Sequence, residues 1–194
     1  MVGIIDYGVG NLFSLQSSFA AIGQDVMVSS DPEILRKADH ILLPGVGAFE
    51  DAVKKLRASG LDQMVSEAVK AGKPMMGICL GMQMKIKKSF EYGEHQGLGL
   101  LKGQVIPMAG LLPEDLKVPH MGWNALQITN PHSKLLANTK EGDYVYFVHS
   151  YFATGCEESL AAQTEYGRML TAAVEKDNVF GCQFHPEKSG EVGL

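Results

Sequence analysis

The stretch Lys73-Pro74-Met75-Met76-Gly77-Ile78-Cys79-Leu80-Gly81-Met82-Gln83 organises the architecture that we expect of this chain. A short apolar run ends in a Gly-x-Cys-x-Gly segment, which has the form of a nucleophile elbow with cysteine in the place of serine. Such an elbow is a strand-to-helix turn so tight that the nucleophile has a strained backbone, and the glycines beside it let neighbouring chain pass close by. The stretch therefore predicts a buried strand, a nucleophilic Cys79 and a helix directly after it.

Cys79 also has a simpler interpretation, because a lone cysteine is usually a buried, small apolar residue. Short motif matches do not decide between the two interpretations. Helix-forming residues from Met82 onward would direct the positive end of a helix at the sulfur, and this favours the reactive thiolate. The rest of the chain must therefore decide.

The composition is that of an ordinary globular protein, with 45% hydrophobic residues among 194. This length suits one sizeable core, so we expect a single domain over residues 1–194. A net charge of −5 gives no electrostatic footprint for nucleic acid. No apolar run approaches the ~20 residues of a membrane span, and Met1-Val2-Gly3-Ile4 leads into a strand without a signal-peptide start. Three widely spaced cysteines form neither a disulfide framework nor a zinc pattern, which favours a cytoplasmic location.

The N-terminal half alternates short apolar runs with helical patterns. Besides the elbow strand, the predicted strands are Val2–Asp6, Asp25–Val28 and His40–Leu43, and the predicted helices are Leu12–Ile22, a short one after Asp31, Phe49–Ser59 and Leu61–Ala71. This order predicts right-handed βαβ units and a mostly parallel central sheet with helices on both faces. Loops at the carboxyl ends of such strands share one edge of the sheet, which would bring 6–11, 44–47 and Cys79 together. A dinucleotide-binding loop is disfavoured, because Phe13 stands where its third glycine is required.

The C-terminal half consists of short runs separated by turn residues, which predicts a smaller antiparallel sheet. The runs are Gly97–Leu101, Gln104–Met108, Leu126–Ile128, Tyr144–Tyr151, Leu160–Gln163, Leu170–Val174 and Val179–His185. We find no repeat, linker or low-complexity segment, so both halves are expected to share one core.

His185-Pro186-Glu187 follows the last of these runs. A nucleophilic cysteine needs a base that takes its proton and a third group that orients the base. Taken alone, the tripeptide would be interpreted as a surface histidine and glutamate in a loop. Two motifs that each close a strand, in the order Cys79 and then His185 with Glu187, instead favour a catalytic triad.

The elbow and the His-Pro-Glu tripeptide together resemble the class I (triad) glutamine amidotransferases. Within that family, four further stretches are similar to the glutaminase subunits that supply ammonia to a separate (βα)₈-barrel cyclase subunit in histidine biosynthesis. These stretches are Asp6–Asn11, Pro44–Phe49, Pro119–Asn124 and Phe147–Tyr151, and the similarity runs from residue 2 to residue 194. The resemblance implies hydrolysis of L-glutamine to glutamate and ammonia, a heterodimer with the cyclase that makes imidazole glycerol phosphate and an aminoimidazole carboxamide ribotide, and no metal or organic cofactor.

The resemblance also implies a role for each matching residue. Cys79 would attack the side-chain amide of glutamine, His185 would be the base and then the acid for departing ammonia, and Glu187 would hold the imidazole tautomer. The backbone N–H groups of Leu80 and Val46 would form the oxyanion hole. The implied substrate-binding residues are Gly45, Gly47, Gln83, His149, Ser150 and Tyr151, although His149 could instead only shape its strand.

Three further residues are expected to contact the cyclase. Asn11 and Trp123 lie in motifs that we place on loops at the active-site edge, and Lys188 directly follows the triad. Trp123 would be the aromatic anchor of this interface, because tryptophan is enriched in binding hot spots. The alternative is that Trp123, the only tryptophan, is a core residue.

The chain departs from the family pattern at two places. Lys85, Lys87 and Lys88 fall in a helix that is mostly apolar in the family, and we expect their stems to cover apolar surface while their ammonium groups reach water. Relatives usually continue for another turn or two of helix beyond Leu194. We therefore make no prediction for the last packing layer of the fold. Two other functions also stay open: a cysteine peptidase or isomerase of the same superfamily, and a silent regulatory subunit with a vestigial triad.

Overall fold

The computed structural model describes all residues from Met1 to Leu194. Strands and helices alternate in the first half, and strands dominate the second. The strands are β1 (Val2–Ile5), β2 (Val26–Ser29), β3 (His40–Leu43), β4 (Met75–Ile78), β5 (Ile86–Ser89), β6 (His95–Gln96), β7 (Leu101–Pro107), β8 (His120–Ala125), β9 (Gln127–Ile128), β10 (Tyr144–His149), β11 (Tyr151–Thr154), β12 (Leu160–Glu165), β13 (Met169–Lys176) and β14 (Val179–Cys182). The α-helices are α1 (Leu12–Ala21), α2 (Pro32–Leu35), α3 (Phe49–Ala58), α4 (Leu61–Lys70), α5 (Leu80–Lys85) and α6 (Gly190–Gly193).

The central sheet has eight strands in the order β2-β1-β3-β4-β14-β13-β12-β9. The first five are mutually parallel, and the last three join by antiparallel pairing. The elbow strand β4 therefore lies beside β14, which leads to His185, although about a hundred residues separate them in the chain. This pairing places the two motifs at the same edge of the sheet.

Two smaller sheets complete the fold. One has four strands in the order β11-β7-β5-β6, and its β5–β7 pair is parallel while the other pairs are antiparallel. The other is an antiparallel ribbon of β8 and β10. The predicted α/β fold with a smaller sheet is confirmed, and the smaller sheet is mixed rather than purely antiparallel.

The helices cover the central sheet because their apolar residues recur at helical spacing. In α3 the buried residues are Phe49, Ala52, Val53 and Leu56, and α4 repeats this spacing with its own buried residues, Leu61, Met64, Val65 and Ala68. This spacing forms one apolar stripe along each helix, and the stripe packs against the sheet. α2, α3 and α4 contribute to one hydrophobic cluster, whereas α1 contributes through Leu15 to a second cluster with residues of β1, β3, β4, β10, β12, β13 and β14 and of nearby loops.

The predicted strand boundaries fail where the chain changes from one sheet to another. Gly97–Leu101 is mostly irregular, because only Leu101 belongs to a strand. Tyr144–Tyr151 is not one strand: β10 pairs with β8, β11 pairs with β7, and Ser150 separates them. The motif placed on a loop at 119–124 is mostly strand β8, which the pairing with β10 stabilises.

The predictions for the three lysines are wrong in two respects. Helix α5 ends at Lys85, and Lys87 and Lys88 lie on strand β5, which pairs with β6 and β7. The ammonium group of Lys85 does not reach water, because its side chain is fully buried. Its Nζ instead donates to the backbone carbonyls of Phe180 and Met75. Lys87 is exposed, as expected of a strand residue that faces solvent.

No helix of the protein has both the length and the apolar character that crossing a membrane would require.

Candidate active site

Cys79 lies at the turn between β4 and α5, with a backbone φ of 53° and ψ of −112°. A positive φ is strained for a residue that has a Cβ, and it persists only where the surroundings hold it. Here the N–H of Cys79 donates to the carbonyl of Cys182 at 2.8 Å, which fixes the turn against β14. A Cβ on Gly81 would overlap the carbonyl of Leu43, and one on Gly77 would overlap the backbone of Gly81. The elbow therefore needs both glycines for close backbone approach.

His185 and Glu187 form a buried pair beside this turn. The imidazole Nδ1 lies 2.8 Å from Glu187 Oε1, and the two side chains are only 4% and 3% exposed. The Cys79 side chain is near enough to affect the pKa of the imidazole. Burial alone would lower the pKa of His185, but the hydrogen bonds and charges of Cys79 and Glu187 outweigh it and raise the pKa to about 9. The imidazole is therefore protonated at neutral pH.

The three residues meet at a cleft of about 520 Å³. Cys79 and His185 line it, whereas Glu187 lies outside the lining, where it contacts the imidazole. The residues that were predicted from the sequence and that line the cleft are Val46, Gly47, Cys79, Leu80, Gln83, His149, Ser150, Tyr151 and His185. The cleft thus brings together the predicted nucleophile, its base and nearly all of the predicted substrate contacts.

The loop after β3 is held against the elbow. The hydroxyl of Tyr7 donates to the carbonyl of Pro44 at 2.8 Å, and a Cβ on Gly45 would overlap the backbone of Gly81. Gly45 therefore lies next to the cleft, behind Val46 and Gly47. Burial and the nearby Cys79 raise the pKa of Tyr7 above its usual range, so its hydroxyl remains a donor. The predicted convergence of the loops after β1, β3 and β4 is present.

Leu80 and Val46, the residues predicted to form the oxyanion hole, both line the cleft with Cys79. Leu80 is the first residue of α5, where an N–H has no partner within the helix. The N–H of Val46 has no backbone acceptor, and its side chain is 45% exposed at the rim of the cleft. Gly47, which follows it, has a φ of +91° that favours glycine.

A chain of side-chain amides leads to the sulfur. The Nε2 of Gln83 donates to the carbonyl of Tyr151 at 3.0 Å and to Oε1 of Gln183 at 2.9 Å. The Nε2 of Gln183 in turn lies 3.6 Å from Sγ of Cys79. Both amide hydrogens of Gln83 are therefore used inside the protein, and its Oε1 remains free to accept a hydrogen bond in the cleft.

His149 both lines the cleft and supports it. Its Nδ1 donates to the carbonyl of Tyr151 at 2.9 Å, so the neutral ring can accept only at Nε2, which lies 3.0 Å from Nδ1 of His120. Burial lowers the pKa of His149 to about 3, so the ring is neutral at physiological pH. His120 is itself fully buried and stacks on Phe147. His149 is thus suited to hold a backbone carbonyl rather than to exchange protons.

The residues predicted to contact a partner are exposed. Asn11 caps α1 by accepting from the N–H of Ser14, and its side chain lies at the surface. Trp123 is 52% exposed, so the core alternative is wrong. Trp123 and Lys188 both approach the ring of Tyr146, with the Trp123 ring at 6.0 Å and the ammonium group of Lys188 at 5.9 Å. Trp123 and Lys188 therefore belong to one continuous surface.

Two residues of the site, Gln183 and Tyr7, are not identified by the sequence analysis. The sequence places Gln183 within an apolar strand and Tyr7 within a glycine-rich loop. The signal for Gln183 was a polar residue between Cys182 and Phe184, at a position where a core residue was expected. No group of three or more histidine, cysteine, aspartate or glutamate side chains is arranged to hold a metal ion.

The comparisons with known proteins agree with this geometry. Residues 3–193 match the family model described as glutamine amidotransferase class-I. The chain is 48% identical to the imidazole glycerol phosphate synthase subunit HisH of Caldanaerobacter subterraneus subsp. tengcongensis over 100% of this chain and 94% of that protein. It is 50% identical to the same subunit of Lactococcus lactis subsp. lactis, with 98% and 92% covered.

Solved structures of lower identity share the fold. A glutamine amidotransferase crystal structure superimposes with a TM-score of 0.77 at 20% identity, covering 100% of this chain and 94% of the other. The acivicin-bound glutaminase domain of a Trypanosoma brucei CTPS gives a TM-score of 0.68 at 17% identity, with 100% and 90% covered. With the elbow, the triad geometry and the full-length relatives, the chain belongs to the class I glutamine amidotransferase family, in the group of the imidazole glycerol phosphate synthase subunits HisH.

Proposed function

We propose that this chain is the glutaminase subunit of an imidazole glycerol phosphate synthase. It hydrolyses L-glutamine to glutamate and ammonia, and it supplies the ammonia to a separate (βα)₈-barrel cyclase subunit in histidine biosynthesis. The observation that carries the proposal is the strained Cys79 in one cleft with His185, whose imidazole is oriented by Glu187 at 2.8 Å. The full-length relatives at 48–50% identity, which are named as subunits of that synthase, support a role as one subunit of such an enzyme.

The reaction begins with the Cys79 thiolate and a protonated His185. The sulfur attacks the carbonyl carbon of the glutamine side-chain amide, and the negative charge moves to the amide oxygen. His185 then gives its proton to the departing nitrogen, so ammonia leaves and a thioester forms. Water, deprotonated by His185, hydrolyses the thioester to glutamate and restores Cys79.

The charge on the amide oxygen needs preorganised donors, and the N–H groups of Leu80 and Val46 are the proposed pair. Loss of one such donor commonly costs about 10²–10³ in rate. Leu80 lies at the start of α5, and its N–H is free of helical partners. Val46 is on the loop that Tyr7 anchors through Pro44, so its position depends on the loops around it.

The amino-acid end of glutamine is proposed to bind to other residues that line the cleft. Gln83 offers its free Oε1 to the substrate ammonium group, and the backbone of Gly47, Ser150 and Tyr151 lies within the same lining. Gly45 contributes by keeping this loop close to the elbow, and His149 by fixing the carbonyl of Tyr151. No metal or organic cofactor takes part in the proposed reaction.

The proposed partner surface contains Asn11, Trp123 and Lys188. On β8 the outward side chains, Met121 and Trp123, are 61% and 52% exposed, whereas His120 at the start of the strand is buried. Exposed aromatic side chains of this kind are typical anchors of protein interfaces. We further propose that residues 1–194 act as one domain, since the central sheet takes strands from both halves, and that the protein works in the cytoplasm, where its three free cysteines remain reduced.

Glutamate assays with the purified chain test the proposal. The chain is incubated with glutamine, with and without its cyclase and the cyclase substrate, and glutamate is quantified. We expect glutamate to form at a substantial rate only when the cyclase is present. Cleavage of peptides instead would support a peptidase of the same superfamily, and no turnover under any condition would indicate a silent regulatory subunit.

A further inference from the structure

The side chain of Gln183 is fully buried directly after β14, beside the nucleophile. A buried amide is unfavourable unless its polar atoms are hydrogen-bonded, and an apolar side chain would suit this core position better. Both ends of the Gln183 amide have partners: Oε1 accepts from Gln83 at 2.9 Å, and Nε2 lies 3.6 Å from Sγ of Cys79. The second contact joins a polar side chain to the reacting atom.

The orientation of this amide is determined by its neighbours. The carbonyl of Tyr151 can only accept a hydrogen bond, so the nitrogen of Gln83 must face it. The second hydrogen on that nitrogen then points at Gln183, which must present its oxygen. The Gln183 nitrogen is therefore left facing Cys79. Reversing Gln83 would place its oxygen against the carbonyl of Tyr151, and reversing Gln183 alone would place its nitrogen against the nitrogen of Gln83.

We propose that Gln183 is a further catalytic residue, whose amide N–H donates a hydrogen bond to the sulfur of Cys79 and stabilises it as the thiolate beside His185. This inference rests on the proposed function, in which Cys79 is the nucleophile. The donor also fixes the direction of the sulfur, because Gln183 is held in turn by Gln83 and Tyr151. An N–H donor strengthens its bond when the acceptor is charged, so the thiolate gains more than the thiol.

The same donor acts twice in the reaction. During attack the sulfur uses an electron pair to bond to the amide carbon, and its hydrogen bond weakens as its charge is lost. During thioester hydrolysis, oxygen from water bonds to that carbon, the carbon–sulfur bond breaks and the sulfur leaves with the electron pair. The N–H of Gln183 then stabilises the departing thiolate, so the residue assists release of glutamate.

The test measures thiolate formation at Cys79 without requiring glutamine turnover. The full chain is alkylated with iodoacetamide over a range of pH, and the modified peptide that contains Cys79 is quantified by mass spectrometry. Gln183→Met removes the donor at similar volume, and Gln183→Glu keeps the acceptor for Gln83 but places oxygen against the sulfur. Gln163→Met, at a half-buried glutamine on β12 outside the cleft, is the matched control.

We expect Gln183→Met to raise the pH of half-maximal Cys79 alkylation by about one unit, the size of one hydrogen bond to a charged group. Gln183→Glu should raise it further, and Gln163→Met should leave it unchanged. An unchanged midpoint in Gln183→Met overturns the inference. If that variant does not fold, Gln183→Glu decides, and a midpoint equal to or below that of the wild type overturns the inference. Wild-type Cys79 that reacts no faster than Cys156 and Cys182 would instead contradict the proposed function itself.

Discussion

The imidazole of His185 shows how a single side chain depends on its neighbours. It is buried, and burial alone would remove its proton, yet contacts with Cys79 and Glu187 raise its pKa to about 9. At a pH below this pKa, the ring carries the proton that the departing ammonia needs. As the pH rises through the pKa, the ring loses this proton, so the rate of turnover should decline on the alkaline side.

Glu187→Gln tests this dependence. The substitution removes a charge that raises the His185 pKa, so the alkaline limb of kcat/KM for glutamine should move to lower pH, by about one unit or more. Glutamate formation is measured in the cyclase complex from about pH 7 to about pH 10. Synthesis from ammonium salts corrects for the cyclase's own pH dependence. An alkaline limb at the wild-type position would show that Glu187 does not act through the imidazole.

Lys85 is a second residue whose charge the fold controls. Its side chain is fully buried, and burial lowers its pKa from 10.5 to about 7. Between these two values the unfolded chain binds a proton that the folded chain does not, so stability should rise with pH across this range. Each unit of difference corresponds to about 1.4 kcal/mol.

Lys85→Met should therefore stabilise the protein at pH 7. We expect a gain of roughly 2–4 kcal/mol, which is below the full electrostatic difference because the bonds to Phe180 and Met75 are lost. The gain should shrink as the pH approaches the pKa of an unburied lysine. Urea unfolding at several pH values measures this, with Lys87→Met on the exposed face of β5 as the control. Equal effects of the two substitutions would contradict the buried-charge explanation.

At the scale of elements, the elbow depends on how closely three backbone segments approach one another. Gly81 lies in α5, and it does not have a positive φ. Glycine is therefore required there because it lacks a Cβ, not because of its backbone conformation. A Cβ there would overlap the carbonyl of Leu43 on β3. Backbone atoms cannot move aside as a flexible side chain can, so the strand and the helix would have to separate.

Gly81→Ala should accordingly destabilise the protein by more than about 3 kcal/mol, as severe overpacking does. Gly72→Ala is a matched control, because Gly72 has a φ of +81° but open space around its Cα. That substitution should cost only about 1 kcal/mol, from backbone strain alone. Thermal unfolding compares the stability of the two variants. A smaller loss of stability at Gly81 than at Gly72 would show that strand β3 and helix α5 can separate at little cost.

The elements that the sequence predicted correctly are those with a local signal. Asn11 and Asp31 accept from backbone N–H groups at the starts of α1 and α2, as short polar side chains at N-caps do. The apolar spacing of α3 and α4 and the run before Cys79 likewise identify their elements without knowledge of their neighbours. The approach of Cys79 to His185 and Glu187 was also predictable, because each of the two motifs lies at the end of a strand.

What the sequence could not predict depends on distant partners. Strand β8 exists because β10, about twenty residues later, pairs with it, and the break at Ser150 exists because β11 pairs with β7 instead. The short helix α5 ends where Ile86 joins the smaller sheet. Gln183 gains its place in the site only when β14 lies beside β4, a contact that no local pattern indicates.

At the scale of the whole molecule, Trp123 lies on the strand that begins with His120, a neighbour of the cleft residue His149. His120, the first residue of β8, contacts His149, and Trp123 on the same strand packs on Tyr146. Contact at this face is therefore only a few residues from the carbonyl of Tyr151. This proximity offers a short physical route between partner binding and the site.

Trp123→Ala should weaken binding of the cyclase by about 2 kcal/mol or more, which is about thirtyfold in Kd. Its melting temperature should change little, because the side chain is 52% exposed. Ile34→Ala, at a 38% exposed residue on α2 at the other end of the sheet, is the control for loss of an exposed apolar side chain. Isothermal titration calorimetry provides both Kd values, and equal affinities for the two variants would remove Trp123 from the interface.

The central claim is that Cys79 releases ammonia from glutamine and that a different subunit uses it. The most direct measurement compares two rates in the assembled complex of Cys79→Ala with the cyclase, namely synthesis of imidazole glycerol phosphate from glutamine and from ammonium salts. The account predicts that the first rate falls to background while the second stays at the wild-type level. Glutamine-dependent synthesis that persists without the thiol, or loss of both activities in a complex that still assembles, would contradict it.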